Sequence, residues 1–319
     1  MPEIIAPIGE SSSASLADSD ELLPIREVSR LTGINPVTLR AWERRYGLIQ
    51  PTRTESGHRL YSKADIQTVH RIVDWIERGV AVSKVGKILA RDDQQAAAVR
   101  IEHDTVEEGE WPQWQARLVL AVSAFDDRQL EHLYNQVIAT YPLNVAFQDI
   151  LMPLWSDLLR HQGGFGQASE WLFFDNFLRV RALQRLQLAC ASAAPRVLLA
   201  AIPGECRKLE LLVAGLLIGR DDLAVRVLGM GQPFDELTLV CEKTQPEALV
   251  LFSNHSHNQA LVGRLSRLAL TLDCPLFLAG AASDLAQEDL AGSTVGCLGN
   301  EGRLMQRRLQ RFLSGNLDT

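Results

Sequence analysis

Three arginines crowd one short segment, Val37-Thr38-Leu39-Arg40-Ala41-Trp42-Glu43-Arg44-Arg45-Tyr46. A guanidinium is permanently charged and holds five N–H donors in a planar fork, which suits phosphate oxygens and base edges. Thr38 adds a hydroxyl to the same run, and Arg53, His58, Arg59 and Tyr61 flank the turn-forming Glu55-Ser56-Gly57. The rest of the chain offers little that could react. It has no nucleophile elbow and no zinc spacing, and no carboxylate pair stands out. Five cysteines (Cys190, Cys206, Cys241, Cys274, Cys297) form no C-x-x-C pair, which favours reduced thiols in a cytoplasm over a disulfide or zinc framework. His255 and His257 follow a strand end and His161 lies in the bundle, but a histidine pair at i, i+2 in a loop is usually solvated and nothing supplies further ligands, so no metal is expected. Gly229-Met230-Gly231 and Gly280 fit loops at strand ends, but neither belongs to a G-x-G-x-x-G or Walker signature. The expectation is a protein that binds rather than catalyses.

The elements that must carry the arginines can be read locally. Ile25, Val28 and Leu31 recur at helical spacing, and Gly33 stops that helix. Asn35 is an N-cap residue and Pro36 sits at the first helical position, so a second helix should run from Val37 to Tyr46. Leu39 and Trp42 face inward on it, with Thr38, Arg40, Arg44 and Arg45 on other faces. A hairpin with Gly57 in its turn follows, and Ser62 caps a longer helix from Ala64 to Arg78 that Gly79 ends. Val82 to Leu89 makes one more helix. Two short helices joined by a tight turn are a helix-turn-helix, and the hairpin is its wing. From Glu21 to Ala90 there are 12 Lys+Arg against 7 Asp+Glu, although the whole chain carries a net charge of -7. A basic head on an acidic body points to an anionic partner for the head alone.

The ordered run Ile34 to Leu48 followed by Ser56-Gly57-His58-Arg59-Leu60-Tyr61 resembles the DNA-binding domain of the MerR family, in the branch that holds MlrA, BluR, CarH and LitR. The match covers about Leu23 to Ala90. The resemblance implies a winged helix-turn-helix that binds double-stranded DNA as a dimer on an inverted repeat. The expected DNA contacts are Thr38, Arg40, Arg44, Arg45, Tyr46, Arg53, Gly57, His58, Arg59 and Tyr61.

Residues 1–21 are Ser-rich and acidic and read as a disordered tail; 22–91 form the DNA-binding domain; 92–110 form an acidic linker. Residues 111–193 read as four helices with short connections, a small bundle. The pattern then changes. Five short apolar runs (Arg196–Ile202, Leu223–Leu228, Ala248–Ser253, Pro275–Ala279, Thr294–Leu298) alternate with helical segments, so 194–319 should be a flavodoxin-like, Rossmann-like parallel sheet. The fold class is therefore multi-domain: α, then α/β. No stretch has the roughly 20 apolar residues of a membrane span, and no membrane partner is expected.

This domain order is also that of the family's cobalamin-binding light sensors, but the ligand positions depart from theirs. The resemblance implies E-x-H-x-x-G after the first strand, with the His on cobalt, and W-x9-E-H over the corrin. Here Arg207 stands for the His and Glu210 for the Gly; Arg160 stands for the Trp and Trp171 for the second His, and Glu170 alone is kept. Arginine has no lone pair for a metal. The expectation is therefore no cofactor, cobalamin included, and a degenerate cobalamin-type domain that responds to a signalling-protein partner. A small-molecule or light sensor with an altered site, a dimerisation scaffold and an enzyme are the successive alternatives. Repression is preferred over activation.

Overall fold

The computed structural model describes residues 22–54, 57–77, 80–90, 111–192, 195–220, 223–255 and 259–314. The tail over 1–21 and the whole acidic linker over 92–110 lie outside them. The chain divides into two compact units, 1–93 and 94–319.

In the first unit, β1 (Leu23–Pro24) leads into α1 (Ile25–Thr32), which Gly33 ends in the left-handed region at φ 71°. α2 (Pro36–Ala41) starts where its composition says it should: the Asn35 side chain accepts from the Val37 N–H, and Pro36 fills a first-turn position that needs no donor. The helix then widens into a π turn, Trp42–Tyr46, closed by Gly47 at φ 61°. β2 (Thr52–Arg53) and β3 (Arg59–Tyr61) pair antiparallel, and β1 pairs with the other edge of β3. That third strand is an addition to the expected hairpin. α3 (Lys63–Glu77) opens on a reciprocal cap in which Asp65 accepts from the Ser62 N–H at 2.8 Å while the Asp65 N–H donates to Ser62 Oγ at 3.1 Å. A further helix, α4, spans 82–90. Val28, Leu39, Val69 and Ile72 are wholly buried and Trp42 nearly so, each apolar side chain stabilising the unit by about 1.5–3 kcal/mol.

The second unit begins with α5 (Trp111–Ser123) and α6 (Asp127–Thr140), the latter capped by the Asp126 carboxylate on the Gln129 N–H. α7 (Leu143–Val145) runs through a π turn, Ala146–Leu151, into α8 (Met152–Arg160). The widened turn falls just before Pro153, whose missing N–H and bulky ring disturb an α-helical ladder there. α9 (Gln167–Ser192) completes the bundle. β4 (Pro195–Ala201), α10 (Lys208–Ile218), β5 (Ala224–Val227), α11 (Leu237–Thr244), β6 (Ala248–Phe252), α12 (Gln259–Thr271), β7 (Leu276–Ala279), α13 (Ala281–Ala286), β8 (Val295–Gly299) and α14 (Gly302–Leu313) follow. All pairings in this sheet are parallel, in the order β5-β4-β6-β7-β8, which is the flavodoxin-like arrangement. The helix after β7 follows that strand directly. The chain reverses at Gly280 with φ 88°, so the helix can begin at the next residue.

Bundle and sheet share one core. Leu118, Leu133, Phe147, Ile150, Phe174 and Leu178 of the bundle join Val197, Leu199, Val225 and Val250 of one sheet face in a single apolar cluster. α10 lies between them, and every residue from Leu211 to Ile218 on it is buried. A helix apolar all round has to be covered on all sides. Gly215 allows this: a Cβ there would lie 2.7 Å from the Val227 side chain and 3.4 Å from Leu186 and Leu199.

Candidate nucleic-acid interface

The cap at Asn35 and the turn at Gly33 set α2 against the core through Leu39 and Trp42, both buried. The opposite face is solvent-facing. Val37 is 68% exposed, and Arg40, Arg44, Arg45 and Tyr46 are exposed with it. Thr38 is half-buried at the first turn, its N–H on the Asn35 carbonyl at 2.9 Å. The π turn puts one extra residue into the last turn, which sets where Arg44, Arg45 and Tyr46 leave the helix.

The wing is closed by its own backbone. The Thr54 N–H donates to the His58 carbonyl at 2.9 Å, the His58 N–H to Thr54 Oγ1 at 3.0 Å, and the Gly57 N–H to the Thr54 carbonyl at 2.8 Å. Gly57 sits at φ 82°, a conformation that a side chain would strain. Gly57 and His58 are exposed.

The structure places Arg53 and Arg59 differently from the expectation of free phosphate donors. Both hold Glu43. Arg53 Nη2 donates to Glu43 Oε1 at 2.8 Å; Arg59 Nε donates to Oε2 at 2.5 Å and its Nη2 to Oε1 at 3.3 Å. One carboxylate on the π turn thus ties down both strands of the hairpin. The bond from Arg59 holds the Glu43 carboxyl below the usual carboxylate range; its partial burial works the other way, and Arg53 adds to the lowering. Each guanidinium has more donors than these bonds use. Tyr61 needs a fuller correction. The sequence reading puts it beside the turn among the DNA contacts, but it is wholly buried, and burial pushes its phenol up. β3 is the central strand, flanked by β1 and β2, so its last side chain is covered. Its hydroxyl has no hydrogen-bond partner among the described residues. Glu43 is the residue of this interface that sequence reasoning passed over, since its partners lie 10 and 16 residues away.

In the second unit the order reverses between β4 and β6, and in such sheets ligands sit beyond the strand ends at that point. Here the loop groups are engaged with one another. Ser253 Oγ donates to Glu205 Oε2 at 2.7 Å, Asn254 Nδ2 to Glu210 Oε1 at 2.8 Å, and the Asn254 N–H to the Glu205 carbonyl at 3.0 Å. His255 Nδ1 is 2.7 Å from that same carbonyl; His257 lies outside the described residues. Glu210 also accepts from the Arg207 N–H at 2.6 Å, capping α10. The Arg207 guanidinium lies over the Trp171 ring, 5.6 Å from its centroid. Glu170 is half-buried beside Trp171, and Arg160 ends α8 within 3.9 Å of Asp157. Cys206 is pushed up to about 12, mainly by burial, a setting for an inert thiol. Among the described residues no three His, Cys, Asp or Glu side chains are grouped to hold a metal ion.

The family model described as "MerR HTH family regulatory protein" matches residues 23–92. The repressor CarH of Myxococcus xanthus is 27% identical over 267 residues, covering 81% of this chain and 89% of that protein. The repressor CarA of the same organism is 30% identical over 232 residues, covering 72% of this chain and 75% of its own length. The regulator MlrA of Escherichia coli strain K12 is 54% identical, but over only 72 residues, which is 23% of this chain and 30% of that protein. Among solved structures, the monomethylamine corrinoid protein of Methanosarcina barkeri is similar at a TM-score of 0.44 and 12% identity, over 60% of this chain and 95% of that one. With the helix-turn-helix, the wing and a relative matched over three quarters of its length, this chain belongs to the MerR family of transcriptional regulators.

Proposed function

We propose that this regulator is a cytoplasmic repressor that binds double-stranded DNA as a homodimer, on an operator of two inverted half-sites, and carries out no catalysis. The observation behind this reading is the exposed arginine face of α2 and its π turn, with a wing braced against that turn by Glu43. Helices of this kind enter the major groove and wings reach the phosphate backbone. Thr38 and Arg40 are assigned to base edges and adjoining phosphates; Arg44, Arg45 and Tyr46 to the groove wall; Arg53, Gly57, His58 and Arg59 to backbone phosphates. Repression follows the printed function of CarH and CarA, which align over most of the chain. Selection from a random duplex library with the full chain tests the proposal. Enrichment of a two-fold-symmetric sequence is expected; recovery of an asymmetric site, or of none, would contradict it.

The signal is assigned to a protein partner acting on the second unit. A cobalamin cofactor does not suit the residues at the switch point. Arg207 has no lone pair to give cobalt and lies over Trp171. Glu210 is the capping carboxylate of α10 and is also held by Asn254.

A further inference from the structure

The second unit carries a thiol pair that DNA binding does not use. Cys241 lies on α11 and Cys274 precedes β7, far apart in sequence, yet the fold brings them to the same place. Both line one small cavity of about 80 Å³, with Thr238, Gln245, Pro246 and Thr271 around them. Cys241 is buried and Cys274 only partly so, which makes Cys274 the more accessible of the two. The geometry points to a thiol-oxidation site, in which Cys274 is the attacking sulfur, Cys241 the resolving one, and a small hydroperoxide the oxidant.

The chemistry balances. The Cys274 thiolate attacks the outer oxygen of the hydroperoxide; an S–O bond forms, the O–O bond breaks, and the alkoxide or hydroxide leaves with a proton as alcohol or water. Cys241 then attacks the sulfenic sulfur. An S–S bond forms, the S–O bond breaks, and water leaves with the Cys241 proton. Two thiols are oxidised to one disulfide and one hydroperoxide is reduced. The polarisation within the pair fits this order. The neighbouring Cys241 draws the Cys274 thiol down, while Cys274, together with burial, pushes Cys241 up. Cys206 and Cys297 are both pushed up by burial, which leaves them poorer nucleophiles.

The test treats the full chain with hydrogen peroxide and maps the products by intact mass and peptide analysis. Loss of two hydrogens with a Cys241–Cys274 cross-link is expected. Cys241→Ser, with Cys241→Ala as a second form, should stop at a sulfenic acid on Cys274 that dimedone traps, and Cys274→Ser should form neither product. Oxidation that leaves the two cysteines unlinked in the wild-type chain would overturn the assignment. So would a cross-link that uses Cys190, Cys206 or Cys297, or a folded Cys241 variant without dimedone adduct at Cys274.

Discussion

Glu43 is the residue on which the interface turns. It is the common acceptor for Arg53 and Arg59, its side chain is only 17% exposed, and it lies on the π turn that also carries Arg44 and Arg45. Because its folded carboxyl lies below its ordinary value of 4.5, the pair stabilises the head above that pH. The contribution is lost as pH falls through the lower, folded value. Solvent still reaches the guanidinium groups, so its size is about 1 kcal/mol. Glu43→Gln should lower stability at neutral pH by about that amount and flatten the acid limb of the curve, read by chemical denaturation between pH 3 and pH 7. An unchanged acid limb would show that the clamp carries no weight. Arg40, Arg44 and Arg45 were legible because a 3.6-residue repeat separates them from Leu39 and Trp42. Glu43 was not, since its partners lie 10 and 16 residues away and only the pairing of the hairpin brings them near. Tyr61 was misplaced for the same kind of reason: which strand is central is a long-range fact.

At the scale of elements, the α/β alternation and the helix ends were readable from apolar runs, caps and glycines. The π turns at Trp42–Tyr46 and Ala146–Leu151 were not, because a pattern read at a fixed 3.6-residue period has no place for an extra residue. β1 escaped because two residues carry no periodicity. The tight layer of α10 also rests on one residue. Gly215→Val should destabilise the second unit by about 1–3 kcal/mol, since added methyls would meet Val227 at the β5 edge; a urea midpoint equal to the wild type would contradict that packing. In the bundle, buried Asp175 accepts from Trp155 Nε1 at 3.0 Å and pairs with Arg179. Asp175→Ala leaves both without that acceptor and should cost about 2–3 kcal/mol in the same measurement.

For the whole molecule the decisive property is the uneven charge. A head with 12 Lys+Arg and 7 Asp+Glu belongs to a chain of net charge -7, so attraction to DNA is confined to one unit and opposed by the rest. Affinity should fall steeply with salt, by a slope of about -0.9 for each phosphate neutralised. The second unit retains a sheet on which a ligand could sit at the switch point, but its loop side chains are bonded to one another. Protein expressed with adenosylcobalamin should therefore show a flat visible spectrum, dark or illuminated; corrin bands that respond to light would return the sensor reading.

The most direct test of the interface is a titration of the selected symmetric duplex with wild-type chain and with Arg40→Ala/Arg44→Ala, across a range of salt, with circular dichroism confirming the fold. The double variant should bind at least about tenfold more weakly, at about 1.4 kcal/mol per factor of ten, with a visibly shallower salt slope. Wild-type affinity and slope in the folded variant would show that the arginine face of α2 is not where this protein meets DNA.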